Sequence, residues 1–562
     1  MNLMGAILFL FFSFSLNAHD ILLSAMKDEL LRFEQEIKGK TEYPIYFIGY
    51  EAWKKSGLSM SVKMDSQLSQ SSYSYVVAVC DVRVGSTTLD STHEIKSDDH
   101  DDNSRYLLQA QLPYDADAIK TQLWLLTDET LKRAIERYTR VIANKNITAE
   151  EEDKSGDFIY DVELSTFYKT QEDEFFDNEK IKEMMKRLGA EMKKYRFLID
   201  GDIYFTYTNQ SRYIVNSQGT SIVEGGVKYL FSWSLYSRTS DGTDISSYRS
   251  YYFKSISEMP NFNDIKRDFD EGVSVLERQL YADNLAPYSG PAILKNKAAA
   301  VFWHEIFGHR IEGHRQKGEK EGLTFADKLG KQIMPDFISI YDDPTLEYYA
   351  GKFLNGHYLY DDEGVRAERT ILVKDGLLKN FLMQRVPVRG VMRSNGHGRR
   401  SSGYMTVSRQ GNLIAEFKNP LSYDELEKRL IELIRKSGKP YGLIINDIEG
   451  GYTYTKRTMP QSYTILIKDA VLVYPDGKKI PVKGLNMIGT PLQTFSKIVA
   501  AADDYDVFNG VCGAESGWVD VSAVSGSLLF SEIETQRTPK SNKKPPLLPP
   551  PHFDSNLSSE EK

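Results

Sequence analysis

Cysteine is nearly absent: Cys80 and Cys512 are the two thiols in 562 residues. A disulfide scaffold is excluded at that density, although one bridge between them stays open. Positive charge is not in excess. Lys and Arg total 70 against 79 Asp and Glu, for a net charge of -9. That argues against nonspecific nucleic-acid binding, which needs clustered cations. Long apolar runs are missing as well. The run Leu3–Leu16 is too short to span a bilayer comfortably, and no later segment is apolar enough to do so. It has the length of a signal-peptide core, and Asn17-Ala18 before His19 offers a cleavage site. The expectation is a signal peptide over 1–18 and an exported chain, periplasmic or secreted. No cysteine follows the run, so no lipoprotein anchor is expected.

What is present is a globular composition, 41% hydrophobic and 27% charged, with 34 tyrosines that suit β-rich structure. Amphipathic helical spacing marks 20–37, 128–145, 177–195 and 262–284. Between them, runs such as YPIYFIGYEAW and YSYVVAVCDVRVG read as strands. Cys80 lies inside the latter as a small core residue. From Phe197 to Phe253 strict alternation predicts antiparallel sheet. The acidic stretch SDDHDDN (97–103) lacks the Gly and distal Glu of a calcium loop and reads as a solvated loop. The texture changes at APYSGPAILK, and a domain boundary is placed near 285. The organisation expected is an N-terminal α/β domain over 19–285, a C-terminal domain over 286–537, and a Pro-rich tail over 538–562 read as disordered. In the C-terminal part a largely apolar, buried helix through NKAAAVFWHEIFGHRIEGH precedes mainly β structure. One surface helix, SYDELEKRLIELIRKSG, starts at a Ser422 cap and stops at Gly438. The fold class is α+β.

HEIFGHRIEGH, at 304–314, carries the chemistry. A zinc helix of the H-E-x-x-H type puts two histidines at i and i+4 on one face. Here His309 follows His304 at i+5, which separates the rings by roughly 140° around a regular α-helix. They can share an ion only if the helix is locally unwound, and a π-bulge does that. Gly308 is expected to ease the distortion. Glu305 would then lie beside the metal without binding it, placed to move protons. A catalytic zinc keeps three protein ligands. Two candidates exist for the third, His314 and Cys512. Gly510 and Gly513 flank Cys512 and are expected to let the backbone turn tightly and present the sulfur.

The segment YSGPAILKNKAAAVFWHEIFGHRIEG resembles the hallmark segment of the TldD/PmbA metallopeptidase family. Similar likeness follows in order at YDDEGVRAERTILVKDGLLKNFLMQR, GHGRRSSG, KKIPVKGLNMIGTPLQTFSKI and NGVCGAESG, covering about 285 to 535. The resemblance implies a two-domain architecture with an antiparallel-sheet-rich C-terminal domain. It implies that His304, His309 and Cys512 hold Zn2+ and that Glu305 is the general base. It also implies a peptidase acting on unfolded or extended peptides in a chamber between subunits, as a homodimer or a heterodimer with a family paralogue. The alternative within the family is a catalytically silent, peptide-binding partner subunit. His314 and Ala514 depart from the family's usual Asp and Lys at those places.

Other residues have ordinary readings beside functional ones. Arg399 and Arg400 suit a carboxylate clamp or structural ion pairs. His357 and His397 are lone histidines near turns. Tyr452 and Tyr454, after Gly450-Gly451, suit strand packing or the wall of a peptide groove beside a strand edge.

Overall fold

The computed structural model describes residues 20–539 apart from 38, 65–66, 96–106, 147–151 and 318–323, and also 544, 546 and 548. The signal peptide expected over 1–18, the stretch 97–103 and most of the tail lie outside the described residues. No helix among the described residues is long and apolar enough to cross a membrane.

The fold is α+β, with three large sheets among the described residues. The first takes its long strands from the N-terminal half: β1 (Ile45–Lys63), β2 (Leu68–Ser86), β3 (Asp200–Asn216), β4 (Ser221–Arg238) and β5 (Asp244–Phe253), in spatial order β2-β1-β3-β4-β5, all antiparallel. Alternation dictates which face is covered. On β1, Tyr50, Ala52, Met60 and Val62 are buried among apolar side chains of the helices α1 (Ile21–Glu36), α2 (Ala116–Lys145), α3 (Asn178–Met192) and α4 (Phe262–Tyr281). Glu51, Trp53 and Lys55 point the other way, toward the C-terminal half. Cys80 is fully buried under α2, with Thr127 4.0 Å from its sulfur. Both cysteines are free, which excludes the bridge to Cys512.

In the C-terminal half, β6 (Ser289–Leu294) leads into α5 (Asn296–Phe302). The second sheet closes on itself. Strand β7 (Gly442–Thr453) bonds to β6 in parallel and to β8 (Tyr463–Val473) antiparallel. Strands β9 (Leu485–Gly489) and β10 (Leu528–Arg537) complete the ring. The third sheet ends in the hairpin Asp506–Ala514 and Gly517–Ser525, with Asp506–Ala514 as its edge strand. Helix α5 is packed between β7 and this hairpin. Its Ala298, Ala299, Ala300 and Phe302 are fully buried, so small side chains admit the strands on one side while Phe302 meets Tyr463, Phe495 and Phe530. The surface helix falls at Tyr423–Ser437, with Ser422 and Glu425 forming a reciprocal capping box and Gly438 left-handed at φ 66°.

Candidate metal centre

The helix unwinds where the spacing requires it. Trp303–Gly308 forms one π-turn between α5 and the short helical segment His309–Ile311, and the His309 amide donates to the His304 carbonyl. The wider turn brings i and i+5 together, and the two imidazole rings lie 5.0 Å apart between centroids. Gly308 does not serve the purpose expected from sequence. Its φ is an ordinary -57°, available to any residue. What it permits is close approach: a Cβ there would overlap the carboxamide of Gln410, whose Nε2 donates to the His304 carbonyl at 3.3 Å. Gly308→Ala is therefore expected to destabilise the fold by about 1–3 kcal/mol through overpacking. Urea unfolding of metal-free protein reads this directly, and an unchanged midpoint would remove Gln410 from the account.

Cys512 arrives from the edge strand Asp506–Ala514. Its sulfur stands 3.3 Å from His309 Nε2, and the three donor atoms of His304, His309 and Cys512 all lie within 4.8 Å of one another. Here too the flanking glycines act differently from expectation. Gly510 and Gly513 sit within a regular strand, not a tight turn, and a Cβ on either would press into the rings of Phe508 and Trp518. All three donor side chains are buried.

The surroundings set the charge of each group. Burial alone would raise the Cys512 thiol, but the His309 and His304 rings carry it well below its ordinary value, which favours the thiolate. His309 is opposed by burial and raised by the Cys512 thiolate and Glu312. Glu312 is fully buried and accepts from His309 Nδ1 at 3.2 Å. Burial would raise this carboxyl, yet His309 and Arg315 bring it down to about 2. Arg315 donates to it at 2.9 Å, and Arg409 Nε lies 3.5 Å away. Such a carboxylate fixes which ring nitrogen faces outward and orients the imidazole. His304 Nδ1 is buried with no hydrogen-bond partner in the structure. Two imidazoles and a thiolate are the donor types zinc prefers, and three of them leave a position open to a cleft. The residues present therefore fit a zinc ion.

Glu305 lies beside this cluster, its Oε2 4.0 Å from His309 Nε2. Burial raises its pKa, against the pull of both histidines. The cluster opens into a cleft of ≈ 630 Å³. One wall is the stretch Glu449–Thr453 of β7, including the half-exposed Tyr452, and the facing wall is the edge strand that carries Cys512. Tyr248, Ser250 and Tyr252 of β5 reach the cleft from the N-terminal half, on one face by the two-residue period.

Not every candidate converges here. His314 turns away from the donor cluster and pairs with Glu515, Nε2 to Oε1 at 2.5 Å, while Arg315 holds the other Glu515 oxygen at 2.9 Å. Arg400 is committed to Glu51 at 2.6 Å, and Arg399 to the backbone carbonyls of Gln410 and Asp520. His397 is fully buried between Asn395 and Asp342. His357 bonds to the Pro344 carbonyl. Glu312, Arg315, Arg409 and Gln410 support the site and were missed by the sequence reading. Glu312 alone had a visible signal, since i+3 from His309 places it on the same helical face.

Residues 287–537 match the model of the PmbA/TldA metallopeptidase C-terminal domain. This C-terminal part belongs to the TldD/PmbA metallopeptidase family. Relatives in this family include the metalloprotease TldD homologue of Haemophilus influenzae, 28% identical over 219 residues, which are 38% of this chain and 42% of that protein. A metalloprotease of Methanocaldococcus jannaschii is 27% identical over 235 residues, 42% of this chain and 48% of its own. The chain thus spans less than half the length of these curated relatives. Solved structures extend the likeness of fold further along the chain. TldE from Thermococcus kodakarensis covers 91% of this chain and 100% of its own, with a TM-score of 0.58 at 13% identity. A Thermotoga maritima protein described as a candidate modulator of a DNA gyrase covers 91% and 99%, with a TM-score of 0.59 at 16% identity. Membership accords with a TldD/PmbA-type hydrolase whose buried His-His-Cys cluster could coordinate a metal ion.

Proposed function

We propose that this chain is an exported, zinc-dependent peptidase that hydrolyses bonds in unfolded or extended peptides. The observation that carries the reading is the convergence of His304, His309 and Cys512, with Glu305 beside them, on the floor of one cleft. Zinc held by the three donors would supply a Lewis acid for the scissile carbonyl and lower the pKa of water. Glu305 takes the proton of the attacking water and returns it to the leaving amine. Its raised pKa suits a group that must hold a proton between those two steps. Glu312 keeps His309 in the tautomer that turns Nε2 toward Cys512. The cleft lies between a strand edge and the β7 stretch at Gly450-Gly451, which supports an extended substrate held by its backbone.

An exported chain would meet its peptides outside the cytoplasm, as a homodimer or with a family paralogue. The silent-subunit alternative has nothing in the site to favour it, since all three donors and Glu305 are in place. The test is digestion of an unfolded, carboxymethylated protein by the purified chain, read by mass spectrometry. Fragments are expected that vanish with chelator and return with zinc. Intact substrate in the presence of one zinc per chain would sink the peptidase reading.

A further inference from the structure

A second cavity, of ≈ 310 Å³, separates the open face of the N-terminal sheet from the C-terminal half. Small-molecule sites favour such interfaces. Its floor is set by register. Lys55 of β1 stands opposite Gln210 of β3, and Gln210 stands opposite Gly226 of β4. These three residues therefore form one cross-strand row on the face that lines the cavity.

Gly226 is the informative member. It sits inside an 18-residue strand, where glycine weakens the sheet. Its neighbour Gly225 has a steric reason, because a Cβ there would meet the Gln171 amide nitrogen at 2.6 Å. Gly226 has none. Nothing lies within 4 Å of where its Cβ would be, and its φ is not in the left-handed region. A mid-strand glycine without a packing or backbone requirement marks space kept free for something that approaches the sheet.

The charge around that space is uneven. The lining carboxylates are already engaged. Glu224 and Asp362 pair with Arg212, Asp520 pairs with Lys228, and Asp361 accepts from the backbone amides of Glu363, Val365 and Gly398. The Lys55 side chain has no ion-pair or hydrogen-bond partner among the described residues, and the Arg399 guanidinium, stacked over the Tyr358 ring at 4.6 Å, donates to carbonyl oxygens. Burial depresses the Lys55 pKa, with the charge of Asp520 opposing. An anion in the cavity removes that cost. Trp518 lines both this cavity and the metal cleft, so the two spaces adjoin.

We propose that this cavity is an oxyanion-binding site, in which Lys55 takes a carboxylate that lies in the space left open over Gly226. The carboxylate could belong to a peptide terminus or to a small free anion. The site is separate from the metal cluster, and its test needs no turnover.

The full-length chain is titrated by isothermal calorimetry with acetyl-trialanine as the free acid, with its amide, and with inorganic phosphate. The free acid is expected to bind at least about tenfold more tightly than the amide, the loss of one charge-assisted contact. Lys55→Met and Gly226→Val are each expected to abolish that preference, the first by removing the charge and the second by filling the space. Thermal unfolding of Lys55→Met should stay at the wild-type midpoint or rise. Equal affinity for acid and amide overturns the proposal. So does a preference for the acid that survives in Lys55→Met, which would place the carboxylate elsewhere. Phosphate binding that is lost with Lys55 assigns the site to free oxyanions as well. Absence of phosphate binding beside a Lys55-dependent acid preference assigns it to a peptide terminus.

Discussion

Glu305→Gln is expected to keep one zinc per chain and to lose peptide hydrolysis by about 10²–10⁴-fold, the range that general acid–base groups contribute. The reasoning is geometric. Glu305 is outside the cluster of three donors, with its carboxylate 4.0 Å from His309 Nε2. An amide of the same shape preserves packing and hydrogen-bonding reach, so the metal site should assemble as before. What it removes is the capacity to accept a proton. Burial holds the carboxyl above its usual range, which favours its return of that proton to an amine. Metal analysis and turnover on the same preparation separate the two roles. Retained hydrolysis would mean that another base acts. Lost zinc would mean that Glu305 is itself a ligand.

The sequence disclosed this site unevenly, and the reasons are physical. The separation of five between His304 and His309 is local, so it could be converted into a helix geometry, and the π-turn at Trp303–Gly308 is that geometry. Cys512 is 203 residues from His309, and spacing cannot rank it against His314. Only the family likeness did so. The glycines were noticed for the wrong cause. Sequence shows that a side chain is missing, but not whether the backbone, a carboxamide or an aromatic ring required it. At 308, 510 and 513 the requirement is a neighbour: Gln410, Phe508 and Trp518. The same ambiguity hid Gly226, where no neighbour exists. Arg409 and Gln410 were invisible because their roles depend on a strand-to-helix approach that no local pattern encodes. The long alternating runs of the N-terminal half were legible because one face is covered by helices. The partner of Arg400 was not legible in the same way: a structural ion pair was one of the two roles expected for it, but only the fold brings it against the buried Glu51.

Cys512→Ser is expected to abolish zinc binding, while His314→Gln leaves it intact. Serine keeps the size of the side chain but offers a hydroxyl, which stays protonated beside two imidazoles and is a poor zinc donor compared with a thiolate. The remaining pair, His304 and His309, leaves a buried two-nitrogen site with His304 Nδ1 unpartnered. His314 cannot replace the sulfur, because its ring is held by Glu515 and that carboxylate is held in turn by Arg315. Zinc should also stabilise the fold by mass action, by about 2.7 kcal/mol when free metal is at 100 times its dissociation constant. Chelator should therefore lower the unfolding midpoint of the wild type and leave Cys512→Ser unmoved. Plasma mass spectrometry of the three proteins reads occupancy, and thermal unfolding with and without chelator reads linkage. Zinc kept by Cys512→Ser and lost by His314→Gln would reverse the assignment. It would require the His314–Glu515 pair to open, so that the thiolate served only to hold His309 in place.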